Sequence, residues 1–160
     1  MIKIDKLLVE KVIGEAQTSE RKRKNFNFHQ TSQDSIHRML NAMEPGTYVA
    51  PHKHENPDKR EAFIILKGKI LVVEFSENGD ITNHLILDAS SDNFGAEISP
   101  GTYHTLISLE KGSILYELKD GPWDPGTDKN FAPWAPLEGE KGSALFIESI
   151  LGKLNVNLCE

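Results

Sequence analysis

The chain has 160 residues, of which 38% are hydrophobic and 26% charged, and its formal net charge is -6. This length and composition favour one packed domain over residues 1–160 and exclude a disordered chain. The negative charge argues against nucleic acid as a partner, and no window approaches the roughly 20 apolar residues that span a membrane. The single cysteine, Cys159, excludes an intrachain disulfide, and we expect a cytoplasmic protein.

The first predicted element is a short amphipathic helix within residues 1–16. Apolar side chains recur at helical spacing from Ile4 to Val12, and Gly14 offers a stop. We therefore expect a helix over residues 5–16.

Short apolar runs separated by turn residues follow, in a region from residue 20 to residue 118 that we expect to form a barrel. Their length and even spacing predict an all-β sandwich or barrel rather than alternating strands and helices. The runs cover residues 36–43, 62–66, 69–75, 82–87, 95–98, 102–108 and 113–118. The predicted fold class is mainly β, with a short N-terminal helix.

The segment from residue 120 to residue 142 differs from the barrel in being rich in proline, glycine and tryptophan. A structureless loop of that length is unusual inside a compact domain. Its aromatic residues, Trp123, Phe131 and Trp134, indicate a covering segment that packs across the barrel. Residues 143–151 fit either a last strand or a short helix.

Four residues in two stretches have the chemistry of a metal site. His52 and His54 are two positions apart, so on a strand both imidazoles point to the same face, as a borderline metal requires. Glu61 begins an apolar strand, where a buried carboxylate needs a compensating cation. His104 follows a tight turn and can supply a third imidazole. Glu55, which faces the other side of the strand, is the alternative carboxylate to Glu61.

Polar and aromatic residues alternate over residues 23–29, as on a strand. One face carries Arg23, Asn25, Asn27 and His29, and the other carries Phe26 and Phe28. The polar row is either the solvated face of an edge strand or a set of substrate contacts at the barrel mouth. Arg38 and Tyr48 are further substrate-binding candidates, and no catalytic residue can be assigned from these patterns.

These residues resemble the two motifs of the cupin superfamily. Gly46, His52, His54, Glu61 and Gly68 match the first motif at every interval except one, since six residues instead of three or four separate His54 from Glu61. Gly101 and His104 match the second motif, whose frequent asparagine is Ser108 here. The resemblance implies a double-stranded β-helix, or jelly-roll barrel, that holds one divalent transition metal, with Zn, Fe, Ni and Mn not distinguished.

A closer resemblance, over nearly the whole chain, is to the WbuC family of cupin-fold metalloproteins. It is carried by RKNFNFH at residues 23–29, Arg38, EPGTYVAPHKH at residues 44–54 and GPWDPGTDKNFAPWAP at residues 121–136. That family is associated with surface-polysaccharide and lipopolysaccharide gene sets. Cupins often pair through their sheets, so the resemblance also implies a homodimer.

Three functions are compatible with this constellation. The first is a metal-dependent enzyme, such as an isomerase, acting on a small polar molecule (a sugar or nucleotide-sugar derivative) in surface-polysaccharide biosynthesis. The second is an Fe(II)-dependent dioxygenase with the same ligands. The third is a non-catalytic cupin that binds a small molecule or sugar. Each requires a small-molecule ligand and neither nucleic acid nor a membrane.

Overall fold

The computed structural model describes residues 1–159, and over that range the chain forms two α-helices and ten β-strands. The helices are α1 (Lys6–Thr18) and α2 (Ser143–Leu154). The strands are β1 (Arg23–Asn27), β2 (Ile36–Met43), β3 (His52–Lys53), β4 (Glu61–Lys67), β5 (Lys69–Phe75), β6 (Ile81–Asp88), β7 (Gly95–Ile98), β8 (Tyr103–Ser108), β9 (Ser113–Asp120) and β10 (Asn130–Phe131).

The strands form two five-stranded antiparallel sheets that face each other. The first has the order β1-β2-β9-β4-β7 and the second the order β10-β3-β8-β5-β6. Apolar side chains from both sheets meet between them, including Phe63 on β4, Val72 on β5 and Leu106 on β8. This two-sheet jelly roll confirms the predicted fold class.

Helix α1 confirms the predicted N-terminal helix and covers the outer face of the first sheet. Asp5 caps it by accepting a hydrogen bond from the backbone N–H of Leu8 at 3.1 Å. Val12 and Ala16 on its buried face pack with Leu40 on β2. The helix continues two residues beyond the expected end, to Thr18.

The strands follow the apolar runs closely. Strands β2, β5 and β7 have the predicted bounds, and β1, β4, β6, β8 and β9 differ from them by one or two residues at their ends. The two-residue strands β3 and β10 have no counterpart among the predicted runs. The chain passes from β4 in the first sheet to β5 in the second at Gly68, whose φ of 77° lies in the left-handed region and whose ideal Cβ would lie 2.8 Å from the Cα of Ser113. Glycine is therefore required at this turn.

Residues 143–151, for which the sequence left strand and helix open, belong to helix α2. Ile147, Ile150 and Leu151 lie on one face of this helix and pack against the outer face of the second sheet. Trp134, in the preceding segment, packs at a tilt against Phe75 on β5, and its Nε1 donates a hydrogen bond to the carbonyl of Glu77 at 3.0 Å. Neither helix reaches the length and apolar content that crossing a bilayer demands.

Candidate metal centre

Four buried side chains meet at one end of the space between the sheets. His52 on β3 lies opposite His104 on β8, His54 follows β3, and Glu61 is the first residue of β4. Each residue is at most 4% exposed. One ligand atom from each lies within 4.8 Å of the others, which fits a single metal ion.

Backbone carbonyl groups fix the tautomer of all three imidazoles. The Nδ1 of His52 lies 2.9 Å from the carbonyl oxygen of Ala50, and the Nδ1 of His104 lies 2.9 Å from that of Thr102. The Nδ1 of His54 makes the same contact with the carbonyl of Asp128. Because a carbonyl only accepts, each Nδ1 carries the proton, and a neutral ring keeps a free lone pair on Nε2.

The Nε2 atoms lie beside the carboxylate of Glu61. His104 Nε2 is 3.0 Å from Oε2, and His54 Nε2 is 3.0 Å from Oε1. Among the described residues, Nε2 of His52 and Nε2 of His54 have no hydrogen-bond partner. Buried lone pairs that face a carboxylate require a cation between them, either a shared proton or a metal ion. The residues therefore fit the metal that the cupin motifs imply.

The protonation states of the site also suit a metal. Burial lowers the pKa of His52 well below its ordinary value, and the positive charge of Lys129 acts in the same direction. Burial alone would raise the pKa of Glu61, but the adjacent imidazoles of His104 and His54 outweigh it and hold this pKa well below the usual range. A neutral imidazole and an ionised carboxylate are the ligand forms that bind divalent metals.

The two candidate carboxylates have different surroundings. Glu61 lies with the three histidines. Glu55 pairs with Lys53 at 3.1 Å, and its side chain is 42% exposed. The geometry therefore favours Glu61 as the fourth ligand.

A buried ion cluster lies next to the metal centre. Asp128 Oδ1 lies 2.8 Å from the Nζ of Lys59, and its Oδ2 lies 2.5 Å from the Nζ of Lys119. Lys119 is also 3.8 Å from Glu61 Oε1. The backbone carbonyl of Asp128 contacts Nδ1 of His54. The ion pairs that fix Asp128 therefore also help to orient His54 as a candidate metal ligand.

A cavity of about 1120 Å³ opens beside the metal centre. His52, Glu61 and His104 line its inner end. Strand β1, an edge strand of the first sheet, and the residues that follow it contribute the polar row of Arg23, Asn25, Asn27 and His29. Phe26 and Phe28, which alternate with this polar row, lie on the opposite face and pack in the cluster beneath α1.

The members of the polar row have different partners. Arg23 donates to the carbonyl of Tyr48 at 2.6 Å and pairs with Glu138 at 2.7 Å. The ring of His29 stacks on the ring of His37 with 4.0 Å between centroids. Asn25 donates to the sulfur of Met39.

The other two substrate-binding candidates, Arg38 and Tyr48, do not line this cavity. Arg38 lies 3.8 Å from Asp34 and donates to the carbonyl of Phe28. Tyr48 is buried, and its hydroxyl donates to the carbonyl of Pro136 at 2.6 Å. Both side chains are thus occupied by contacts that hold the segments around the barrel.

Glu117 on β9, which the sequence offers as a weaker pocket candidate, lines the cavity. Two other polar residues of the lining, Asn41 on β2 and Lys129, were not identified from the sequence. Asn41 donates to Glu117 Oε2 at 2.9 Å. Burial and repulsion by Glu61 raise the pKa of the Glu117 carboxyl. Leu115, Glu117 and Lys119 are buried at every second position of β9. This period of two is the sequence pattern that could have placed Glu117 on the inward face of the strand.

Three imidazoles and one carboxylate leave coordination positions open on the divalent metals that favour this ligand set. Here those positions would be reached from the cavity, since His52, Glu61 and His104 line it. The arrangement can therefore hold a small molecule against the metal, with amide and charged side chains around it.

Comparisons with known proteins agree with this architecture. The family model described as "Domain of unknown function (DUF6016)" matches residues 4–87. No curated protein sequence matches the chain. Among solved structures, the capsular polysaccharide assembling protein CapF from Staphylococcus aureus is 18% identical with a TM-score of 0.51, and the match covers 68% of this chain and 34% of CapF. The chain thus spans about a third of CapF.

Two further structures match most of their own length. An uncharacterized conserved protein with a double-stranded β-helix domain from Klebsiella pneumoniae is 15% identical with a TM-score of 0.53, over 82% of this chain and 98% of that one. The protein TT1209 from Thermus thermophilus is 17% identical with a TM-score of 0.53, over 74% and 97%. The fold is thus a double-stranded β-helix, as in the Klebsiella pneumoniae protein, and the chain, matched over more than half its length by the family model, belongs to the DUF6016 family.

Proposed function

We propose that this protein is a metal-dependent enzyme that acts on a small polar molecule, a sugar or nucleotide-sugar derivative, in surface-polysaccharide biosynthesis. The observation that carries the proposal is a set of four buried candidate ligands, His52, His54, Glu61 and His104, three of which line a cavity of about 1120 Å³. A site that served only to stabilise the fold would be closed by protein, whereas this one borders an open cavity.

The sugar assignment has two supports. The sequence resembles the WbuC family, which is associated with surface-polysaccharide gene sets. CapF, which shares the fold, carries the description of a capsular polysaccharide assembling protein. The cavity lining is also suited to hydroxyl groups, because the amides of Asn25, Asn27 and Asn41 each offer a donor and an acceptor.

The proposed reaction class is an isomerisation or a similar proton transfer next to an oxygen function. A divalent metal bound by the four ligands would polarise an oxygen of the substrate. Glu117 lines the same cavity, and its raised pKa suits a carboxyl group that exchanges a proton. Asn41 would hold that carboxyl in place through its hydrogen bond to Oε2.

The test is incorporation of solvent deuterium into candidate substrates. Metal-loaded protein would be incubated in D2O with a panel of sugars, sugar phosphates and nucleotide sugars, and followed by NMR. We expect exchange or epimerisation of at least one compound with the parent and none with His104→Ala. Absence of turnover with Zn, Fe, Ni and Mn across the panel would contradict the proposal. Substrate-dependent oxygen uptake with Fe(II) would replace it with the dioxygenase function.

We also propose a cytoplasmic homodimer. The outward face of β4 exposes Ile64 (44%) and Leu66 (39%), and Phe94 next to the edge strand β7 is 58% exposed. Exposed apolar groups beside a sheet edge are typical of an interface. Light scattering should give twice the chain mass for the parent and a smaller mass for Ile64→Lys, and a monomeric parent would contradict the dimer.

A further inference from the structure

The charges around the cavity are opposite in sign to the charge of the whole chain. The chain carries a formal net charge of -6. The cavity, in contrast, is lined by five lysine or arginine side chains and four carboxylates. The distribution of these charges, rather than their number alone, indicates what the cavity binds.

The ion cluster of Asp128, Lys59 and Lys119 next to the metal centre has one positive charge in excess. Asp128 pairs with both Lys59 and Lys119, whose side chains are 2% and 6% exposed. One carboxylate balances one ammonium, so the other is not neutralised. Glu61 cannot provide the balance when it serves as a ligand, because a divalent ion exceeds its single charge.

The ammonium group of Lys129 adds a second positive charge, which has no partner. Lys129 lines the cavity, and among residues 1–159 it makes no ion pair or side-chain hydrogen bond. Its charge lowers the pKa of His52, and it is attracted by Glu61 and Glu117, so it acts at the metal centre. The cavity leaves its side chain accessible to solvent, although the surrounding protein removes enough water to lower its own pKa.

We propose that the cavity binds an organic anion, a hydroxylated molecule whose carboxylate or phosphate group pairs with Lys129 beside the metal. This inference rests on the proposed function, because the anion would be the substrate of the same site. The pairing provides the missing counter-charge for Lys129 and offsets the excess charge of the Asp128 cluster. The substrate class is therefore a sugar acid or phosphorylated sugar, and neutral sugars are selected against.

The test compares three sugars that differ in one group. Glucose, glucuronate and glucose 6-phosphate would be titrated into Zn-loaded protein by calorimetry, with the parent and three variants. Lys129→Met removes the charge and retains the length, while Lys129→Arg retains the charge. Lys111→Met, in an exposed turn outside the cavity, changes the net charge equally and serves as the control. Thermal unfolding of each variant checks that it is folded.

We expect the parent to bind glucuronate or glucose 6-phosphate at least about tenfold more tightly than glucose, as a charge-assisted hydrogen bond provides. Lys129→Met should lose this preference, while Lys129→Arg and Lys111→Met should keep it. The better of the two anions identifies the carboxylate or phosphate source. The inference is overturned if glucose binds as tightly as both anions, if none of the three binds, or if Lys129→Met retains the preference.

These results are distinguishable from failure of the proposed function. Anion binding that depends on Lys129 but gives no turnover with any metal would retain the inference and reject the enzyme. Turnover of a neutral sugar derivative, unaffected by Lys129→Met, would retain the enzyme and reject the inference.

Discussion

Replacing Asp128 by asparagine should destabilise the protein severely, although the side chain keeps its shape. The carboxylate holds the ammonium groups of Lys59 and Lys119 at 2.8 and 2.5 Å, in a position where both lysine side chains are at most 6% exposed. An asparagine offers one acceptor oxygen and turns its NH2 group toward the other ammonium. Two buried positive charges would then have no counter-charge.

The magnitude follows from the burial of these groups. Removing one partner of a buried ion pair costs about 3–5 kcal/mol. For a chain of 160 residues, an unfolding entropy of about 2.1 cal/mol/K per residue converts this loss to a fall in Tm of about 9–15 °C. The ion pairs of Asp128 fix the position of its backbone carbonyl, which orients His54. Loss of those ion pairs should therefore also lower metal affinity by about 10–100-fold.

The assay is thermal unfolding of metal-free protein, followed by metal competition with a chelating dye. Asp120→Asn is the matched control, since Asp120 forms an ion pair with the exposed Arg60 and its loss should cost at most about 1 kcal/mol. Lys59→Met should cost less than Asp128→Asn, because it leaves Lys119 and Asp128 as a balanced pair. Equal Tm values for Asp128→Asn and Asp120→Asn would refute the reasoning.

Three further predictions concern protons and backbone. Glu117→Gln should raise Tm at pH 7 and have little effect on Tm below pH 4. Because the fold raises the pKa of Glu117, its ionised form destabilises the protein only at pH values above its ordinary pKa of 4.5. An equal change in Tm at both pH values would contradict this. Metal affinity, measured by chelator competition, should stay nearly constant down to pH 6.5 and fall only well below it, because burial lowers the pKa of His52 and protons compete for its Nε2 only at that lower pH. A fall that begins at or above pH 6.5 would contradict a buried, neutral imidazole ligand. Gly68→Ala should cost about 2 kcal/mol more in urea unfolding than Gly139→Ala, because both have positive φ but only Gly68 has Ser113 in the way; equal losses would count against the close approach.

The strands and the clustering of the four candidate ligands could be predicted because their signals are local. His52 and His54 are two apart in the sequence, and the turn residue Gly68 directly follows the strand that begins at Glu61. Period-two spacing and turn residues act over a few positions, so they are visible in one chain. The same local logic failed to separate strand from helix at residues 143–151, because the N-cap position is Gly142, which provides no side-chain cap.

The ion cluster and the unpaired lysine could not be predicted, because they depend on contacts between distant segments. Lys59, Lys119 and Asp128 come from a loop, the end of β9 and the segment after it. Buried lysines are rare, and nothing in the local pattern distinguishes Lys59 from an exposed lysine. Lys129 is identified only when its missing partner and its place in the cavity are known.

The most direct test of the metal centre is elemental analysis of protein purified without added metal and then dialysed against Zn. The structure predicts close to one ion per chain for the parent and a loss of bound metal in both His52→Ala and His104→Ala, with His84→Ala, an exposed histidine outside the site, as the control. If the parent binds no metal, or if the two variants bind as much as the control, the four residues do not form a metal centre.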